Sequence, residues 1–184
     1  MKKYISKLIL SIVSLPLISF GQQLNLDNSL TISSGSDGFG RPRIALTDNG
    51  PIIIWRKDST PKAIRASKWN GSSFSAPYDI CSSDVMPSSW DGPEIAAKGD
   101  TVYVVFTSTA TTQSSIMLIK SFDGGLSFSD TIRVSENDPS HKFRMGNVRI
   151  DKDGNPVVNY MQYLLNWENL SKWWIDLLIM EILF

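Results

Sequence analysis

Pro93-Glu94-Ile95-Ala96-Ala97-Lys98-Gly99-Asp100-Thr101-Val102-Tyr103-Val104-Val105-Phe106 decides how this sequence folds. Two short runs of apolar and β-branched residues flank a tight Gly99-Asp100 turn, the signature of an antiparallel hairpin. The same pattern stands on either side. Upstream, Pro42-Arg43-Ile44-Ala45-Leu46 passes through Asp48-Asn49-Gly50 into Ile52-Ile53-Ile54-Trp55. Downstream, Asn147-Val148-Arg149-Ile150 passes through Asp153-Gly154-Asn155 into Val157-Val158-Asn159-Tyr160. Trp55 to Phe106 is 51 residues and Phe106 to Tyr160 is 54.

A second hairpin follows in each complete unit. Ala63 to Lys68 leads through Asn70-Gly71 into Phe74 to Ile80, and Ser115 to Ser121 leads through Gly124-Gly125 into Phe128 to Val134. Ser67 to Ser121 and Phe74 to Phe128 are both 54 apart, so this half keeps the same register. Four antiparallel strands per unit of this length read as an all-β fold built from β-propeller blades. The helical period is missing from these segments, which excludes a helical solenoid. Leu30-Thr31-Ile32-Ser33 matches the outer strands Tyr78-Asp79-Ile80 and Ile132-Arg133-Val134, and is expected to add a closing strand. About two and a half blades are therefore expected over residues 22–163.

Residues 164–184 depart from the pattern. A third outer hairpin should begin near residue 175, but the sequence there lacks a Gly turn and any alternation. Leu170, Trp173, Trp174, Leu177 and Leu178 fall at helical spacings, so this aberrant hydrophobic tail reads as a C-terminal helix. Two explanations stand for it: a truncated or frame-shifted product of a longer gene, or a terminal helix that covers an open sheet edge. Asp176 and Glu181 argue against a stable membrane span.

The N-terminus reads as an export signal. Lys2, Lys3 and Lys7 precede the apolar run Leu8 to Phe20, and Ser19 and Gly21 are small residues placed for cleavage before Gln22. The run is too short to span a bilayer and Pro16 interrupts it. A secreted, periplasmic or cell-surface location is expected. The whole chain has 18 basic and 18 acidic residues; without residues 1–21 the balance is 15 against 18, a net charge near −3. Such a chain, with no basic block, is a poor nucleic-acid binder. The one cysteine, Cys81, excludes an internal disulfide and a cysteine-built zinc site; the one histidine, His141, excludes a multi-histidine metal site. Asp151-Lys152-Asp153-Gly154-Asn155 lacks the glycine and closing glutamate of a calcium loop, so it reads as a hairpin turn. No metal and no cofactor is expected.

Ser121-Phe122-Asp123-Gly124-Gly125-Leu126-Ser127-Phe128 follows the pattern Ser-x-Asp-x-Gly-x-x-aromatic, and resembles the Asp box, or BNR repeat, of sialidase (neuraminidase) propellers. Ser67-Lys68-Trp69-Asn70-Gly71-Ser72-Ser73-Phe74 is a degenerate copy with Trp69 where the Asp belongs. The resemblance implies a six-bladed propeller, of which this chain is an N-terminal part. It also makes Ser121, Asp123, Gly125 and Phe128 architectural, because in that family these turns face away from the ligand.

Sialidases clamp the substrate carboxylate with three arginines, a task suited to the bidentate guanidinium fork. They use a Glu-activated Tyr as nucleophile and an Asp as acid/base. The resemblance assigns the first arginine to Arg43 and the acid/base to Asp58. The nucleophile and the other two arginines belong to later blades, so the chain is expected to be inactive alone. A non-catalytic module binding glycan, sialylated or not, or an extracellular protein is the leading reading; the alternative is the N-terminal part of a secreted exo-sialidase. The binding face would be the loop end, where Arg41, Trp90, Asp91, His141 and Arg144 are the most interaction-capable side chains. Open sheet edges are expected to promote self-association.

Overall fold

The computed structural model describes residues 30–33, 39–81, 85, 91–109, 114–164 and 176–181, the last stretch by its backbone alone. The described chain is all-β. Its strands are β1 (Phe39–Thr47), β2 (Gly50–Lys57), β3 (Ala63–Lys68), β4 (Tyr78–Cys81), β5 (Glu94–Lys98), β6 (Thr101–Ser108), β7 (Ser115–Ser121), β8 (Ile132–Arg133), β9 (His141–Ile150), β10 (Pro156–Leu164) and β11 (Asp176–Glu181). They form three antiparallel sheets, each a meander in chain order: β1-β2-β3-β4, then β5-β6-β7-β8, then β9-β10-β11.

The expected hairpins form because the pleat sends alternate residues to opposite faces. In β1–β2 the register pairs Ala45 with Ile52 and Arg43 with Ile54. In β5–β6 it pairs Ala97 with Val102 and Ile95 with Val104. These rows face each other and build a first core, filled by Ile52, Ile54, Ile64, Val104, Phe106 and Ile119. The intervening residues of β6, Tyr103 and Val105, point the other way. With Ile116, Leu118, Phe143, Val148, Val158 and Tyr160 they build a second core against the third sheet. The middle sheet is buried on both faces, which is why Val102 to Phe106 is an unbroken apolar run. Phe106 is 1% exposed, and truncating it to Ala should cost about 3–5 kcal/mol.

Four of the polar contacts between sheets join residues one repeat apart. Arg43 makes a bidentate pair with Glu94, at 2.9 and 2.6 Å, and Asn49 Nδ2 donates to Asp100 Oδ2 at 2.7 Å; both links span 51 residues. Lys98 Nζ donates to the Lys152 carbonyl at 2.5 Å, across 54 residues, and Tyr103 Oη to the Gly154 carbonyl at 3.3 Å, across 51. The first strands of the three sheets accordingly lie side by side, β1 against β5 and β5 against β9.

Three expectations change. Within the tail, Asp176–Glu181 is the strand β11, paired antiparallel with β10 from Val157↔Glu181 to Gln162↔Asp176. The spacing of Leu177 and Leu178 is helical, but a continuous apolar run carries no decisive period, and the open edge of β10 supplies partners for its backbone. Leu170, Trp173 and Trp174 lie outside the described residues, as does the export signal. Residues 30–33 are not in a strand. The outer strands β4 and β8 are shorter than expected, with Phe74 held only by an isolated bridge to Trp69.

Candidate functional site

Antiparallel pairing places the starts of β1, β5 and β9 and the ends of β2, β6 and β10 at one end of the sheets, the loop end. The Ser121–Phe128 turn sits at the other. Ser121 Oγ donates to Asp123 Oδ1 at 2.7 Å and accepts the Gly125 amide at 2.9 Å. Asp123 Oδ1 also accepts the Leu126 and Ser127 amides, each at 2.9 Å, and Oδ2 accepts the Ser127 hydroxyl. Burial opposes the charge on Asp123, but the Ser127 and Ser121 hydroxyls and these two amides outweigh it and hold the carboxyl well below its ordinary range. Gly125 has φ +95°, and a Cβ there would lie 2.3 Å from Ile52 Cδ1. Phe128 packs against the first core, and the Gly125 carbonyl accepts the Tyr78 hydroxyl.

The degenerate copy works differently from its reading. Asn70, not the residue at the Asp position, accepts the Ser72 and Ser73 amides at 3.0 and 2.9 Å. Trp69 is released to pack edge-on against Phe74, with ring centroids 5.3 Å apart. Asp151 closes the third turn by accepting the Asp153 and Asn155 amides at 2.8 and 2.7 Å. Also at this end, an open groove of about 620 Å³ is lined by Leu46, Ile95, Ala97, Lys98, Arg149 and Ile150 among others.

At the loop end the residues converge on Asp91. Its side chain is 3% exposed. Oδ1 accepts Thr107 Oγ1 of β6 at 3.0 Å and the Met145 amide of β9 at 2.7 Å. The Asp91 carbonyl accepts Arg56 Nη1 of β2 at 2.5 Å, so one residue ties together all three sheets. Oδ2 faces Arg144 Nε at 3.9 Å, too far for a hydrogen bond, and both atoms are buried without one. The Arg144 guanidinium lies 6.0 Å from the centroid of the Tyr163 ring. Burial pushes the Tyr163 hydroxyl up, with Arg144 opposing and Asp91 adding to it. A bulge in β9 between its pairings with Asn159 and Met161 gives Met145 φ +55° and aims its amide at Asp91.

The other expected residues fall around this cluster. Arg41, at φ +48°, lies against Gly92, where a Cβ would come within 2.5 Å of the arginine's own Cβ. Asp58 pairs with the buried Arg56. His141 Nδ1 sits 2.6 Å from Asp138 and 3.0 Å from Ser140 Oγ. The Ser140 hydroxyl and amide, with His141, draw the Asp138 carboxyl down to about 2. Arg43 is occupied by Glu94 and does not join Asp58, which has its own partner. Trp90 lies outside the described residues. Arg56, Thr107 and Tyr163 were not expected. Arg56 carried a usable signal, a charge in register one repeat before Thr107, directly after the apolar run Ile52 to Trp55. Among the described residues no group of three or more His, Cys, Asp or Glu side chains is placed to hold a metal, and no helix is long and apolar enough to cross a membrane.

No family model matches the sequence, and no curated protein is significantly similar to it.

Proposed function

We propose that this chain is an exported, non-catalytic part of a sialidase-like six-bladed β-propeller, and that it binds glycan or an extracellular protein through its loop end. The Asp-box turn, the successive four-stranded meanders and the hydrogen bonds one repeat apart support the propeller reading. The bidentate Arg43–Glu94 pair carries the non-catalytic half. A guanidinium whose Nε and Nη2 already hold a carboxylate of its own chain has lost the fork that would clamp a substrate carboxylate. The Asp91–Arg144–Tyr163 cluster offers what a binding surface uses instead: a cation that is 35% exposed, set over an aromatic ring and facing a buried carboxylate 3.9 Å away.

The test is a fluorogenic sialoside assay beside a printed glycan array. No turnover above a buffer blank is expected, and Arg144→Ala should weaken any glycan signal. Turnover that disappears in Asp58→Ala or Arg43→Ala would establish the alternative, the N-terminal part of an exo-sialidase. Export is checked separately by mass spectrometry of secreted protein, where the N-terminus should be Gln22.

A further inference from the structure

The open groove of about 620 Å³ runs over β5, between β1 and β9. Its room comes from a difference between repeats. Ala97 of β5 stands 51 residues after Leu46 of β1 and is the smaller side chain, so β5 leaves open the space a second leucine would fill. Leu46, Ile95, Ala97 and Ile150 give the groove an apolar lining, and Leu46 is 74% exposed. A volume of this size lies within the range of small-molecule sites, about 300–1,000 Å³.

Three cations line the same groove, Lys98, Arg149 and Lys152, against one acid, Asp151. Asp151 is engaged by its own turn: Oδ1 accepts the Asp153 and Asn155 amides, and Oδ2 accepts Asn155 Nδ2 at 3.1 Å. Of the acids in the neighbouring turn residues, Asp100 accepts the Asn49 amide and Nδ2, and neither it nor Asp48 lines the groove. Lys152 is paired with Asp153, and Lys98 Nζ donates to the Asp151 and Lys152 carbonyls. Arg149 differs from both. It is exposed, and among the described residues its guanidinium makes one hydrogen bond, from Nη1 to the Val148 carbonyl at 2.9 Å, and no ion pair.

We propose that this groove binds a small carboxylate with an apolar chain, of the straight-chain fatty acid kind. The chain lies over Ala97 between Leu46 and Ile150, and the carboxylate takes the Nε and Nη2 edge of Arg149. The charge balance of the lining favours an anion over a neutral apolar ligand, and the apolar lining favours a chain over a bare anion. The site lies at the opposite end from the Asp91 cluster and does not draw on the glycan- or protein-binding reading.

Calorimetric titration of the full chain with octanoate, below its micelle concentration, should give saturable binding. Octan-1-ol supplies the chain without the charge and acetate the charge without the chain, and each should bind at least about tenfold more weakly. Arg149→Gln should weaken octanoate about tenfold, the loss of a hydrogen-bonded charged contact. Ala97→Leu, which gives β5 the residue that β1 carries, should weaken it as much. Lys62→Gln, which removes a cation elsewhere, should leave it unchanged. Circular dichroism is recorded for each variant, and Arg149→Gln, at an exposed position, decides the matter if Ala97→Leu alters the fold. Absence of saturable binding overturns the proposal, as does octan-1-ol binding as tightly as octanoate. Octanoate binding that ignores Arg149→Gln, or that falls equally in Lys62→Gln, overturns the site.

Discussion

Asp91 Oδ1 accepts the Met145 amide at 2.7 Å, and this bond joins the second sheet to the third at a bulge. The same oxygen holds Thr107 at 3.0 Å, and the residue's carbonyl holds Arg56. Asp91→Ala would leave the buried Thr107 hydroxyl and the Met145 amide without their acceptor and the Arg144 guanidinium without its facing carboxylate, while the carbonyl bond to Arg56 stays. It should cost about 3–5 kcal/mol, read from urea unfolding. Asp91→Asn keeps an oxygen for Oδ1's partners and should cost less. Equal losses for the two would show that the carboxylate's bonds do not hold the sheets together.

Gly125 and Gly154 have nearly the same φ, +95° and +98°, but different surroundings. A Cβ at Gly125 meets Ile52, whereas one at Gly154 meets nothing within 4 Å. Gly154→Ala should therefore cost only the backbone strain, about 1 kcal/mol. Gly125→Ala adds overpacking of the first core, and should cost roughly 1–3 kcal/mol more. Matching unfolding midpoints for the two variants would refute the distinction.

Burial, with a smaller contribution from Asp123, raises the Tyr78 hydroxyl to about 12. In the unfolded chain it titrates near ~10. A raised folded value favours the neutral form, so this contribution is complete below about pH 10 and is lost as pH rises toward 12. Absorbance at the tyrosinate band should show a late-titrating component that is reduced in Tyr78→Phe. That variant also removes the bond to the Gly125 carbonyl and should cost about 1 kcal/mol.

Asp123 and Asp138 shift the other way. Both titrate lower folded than unfolded, where an aspartate sits near ~3.9. Their contribution is complete above that value and is lost as pH falls toward about 2, the value for Asp138. The fall in urea midpoint between about pH 6 and about pH 3 should shrink in Asp123→Asn and in Asp138→Asn. An undiminished fall in both would place the acid sensitivity elsewhere.

The hairpins were legible because their signals are local: Gly99-Asp100 and Asp153-Gly154-Asn155 mark turns, and β-branched runs flank them. The tail was not. Leu177 to Met180 is apolar throughout, and the edge of β10 decides that it is a strand. The degenerate turn misled by one position, since Asn70 can cap the loop that Trp69 cannot. Asp91 and Arg144 were visible as candidates. Their common node was not, because Thr107, Met145 and Tyr163 reach it from strands that only the folded topology brings near. Glu94 stands one repeat after Arg43 along the chain, and in the fold it is its partner.

Several of the hydrogen bonds that tie one sheet to the next join residues 51 or 54 positions apart, as in Arg43–Glu94 and Asp91–Met145. The joints are therefore written along the chain as a lag. A substitution at one position is felt by its counterpart one unit later, so drift in one copy must be answered in the next. Adding or deleting a whole unit would leave that lag intact, whereas inserting a few residues inside a turn would lengthen it only for the joints that span that turn.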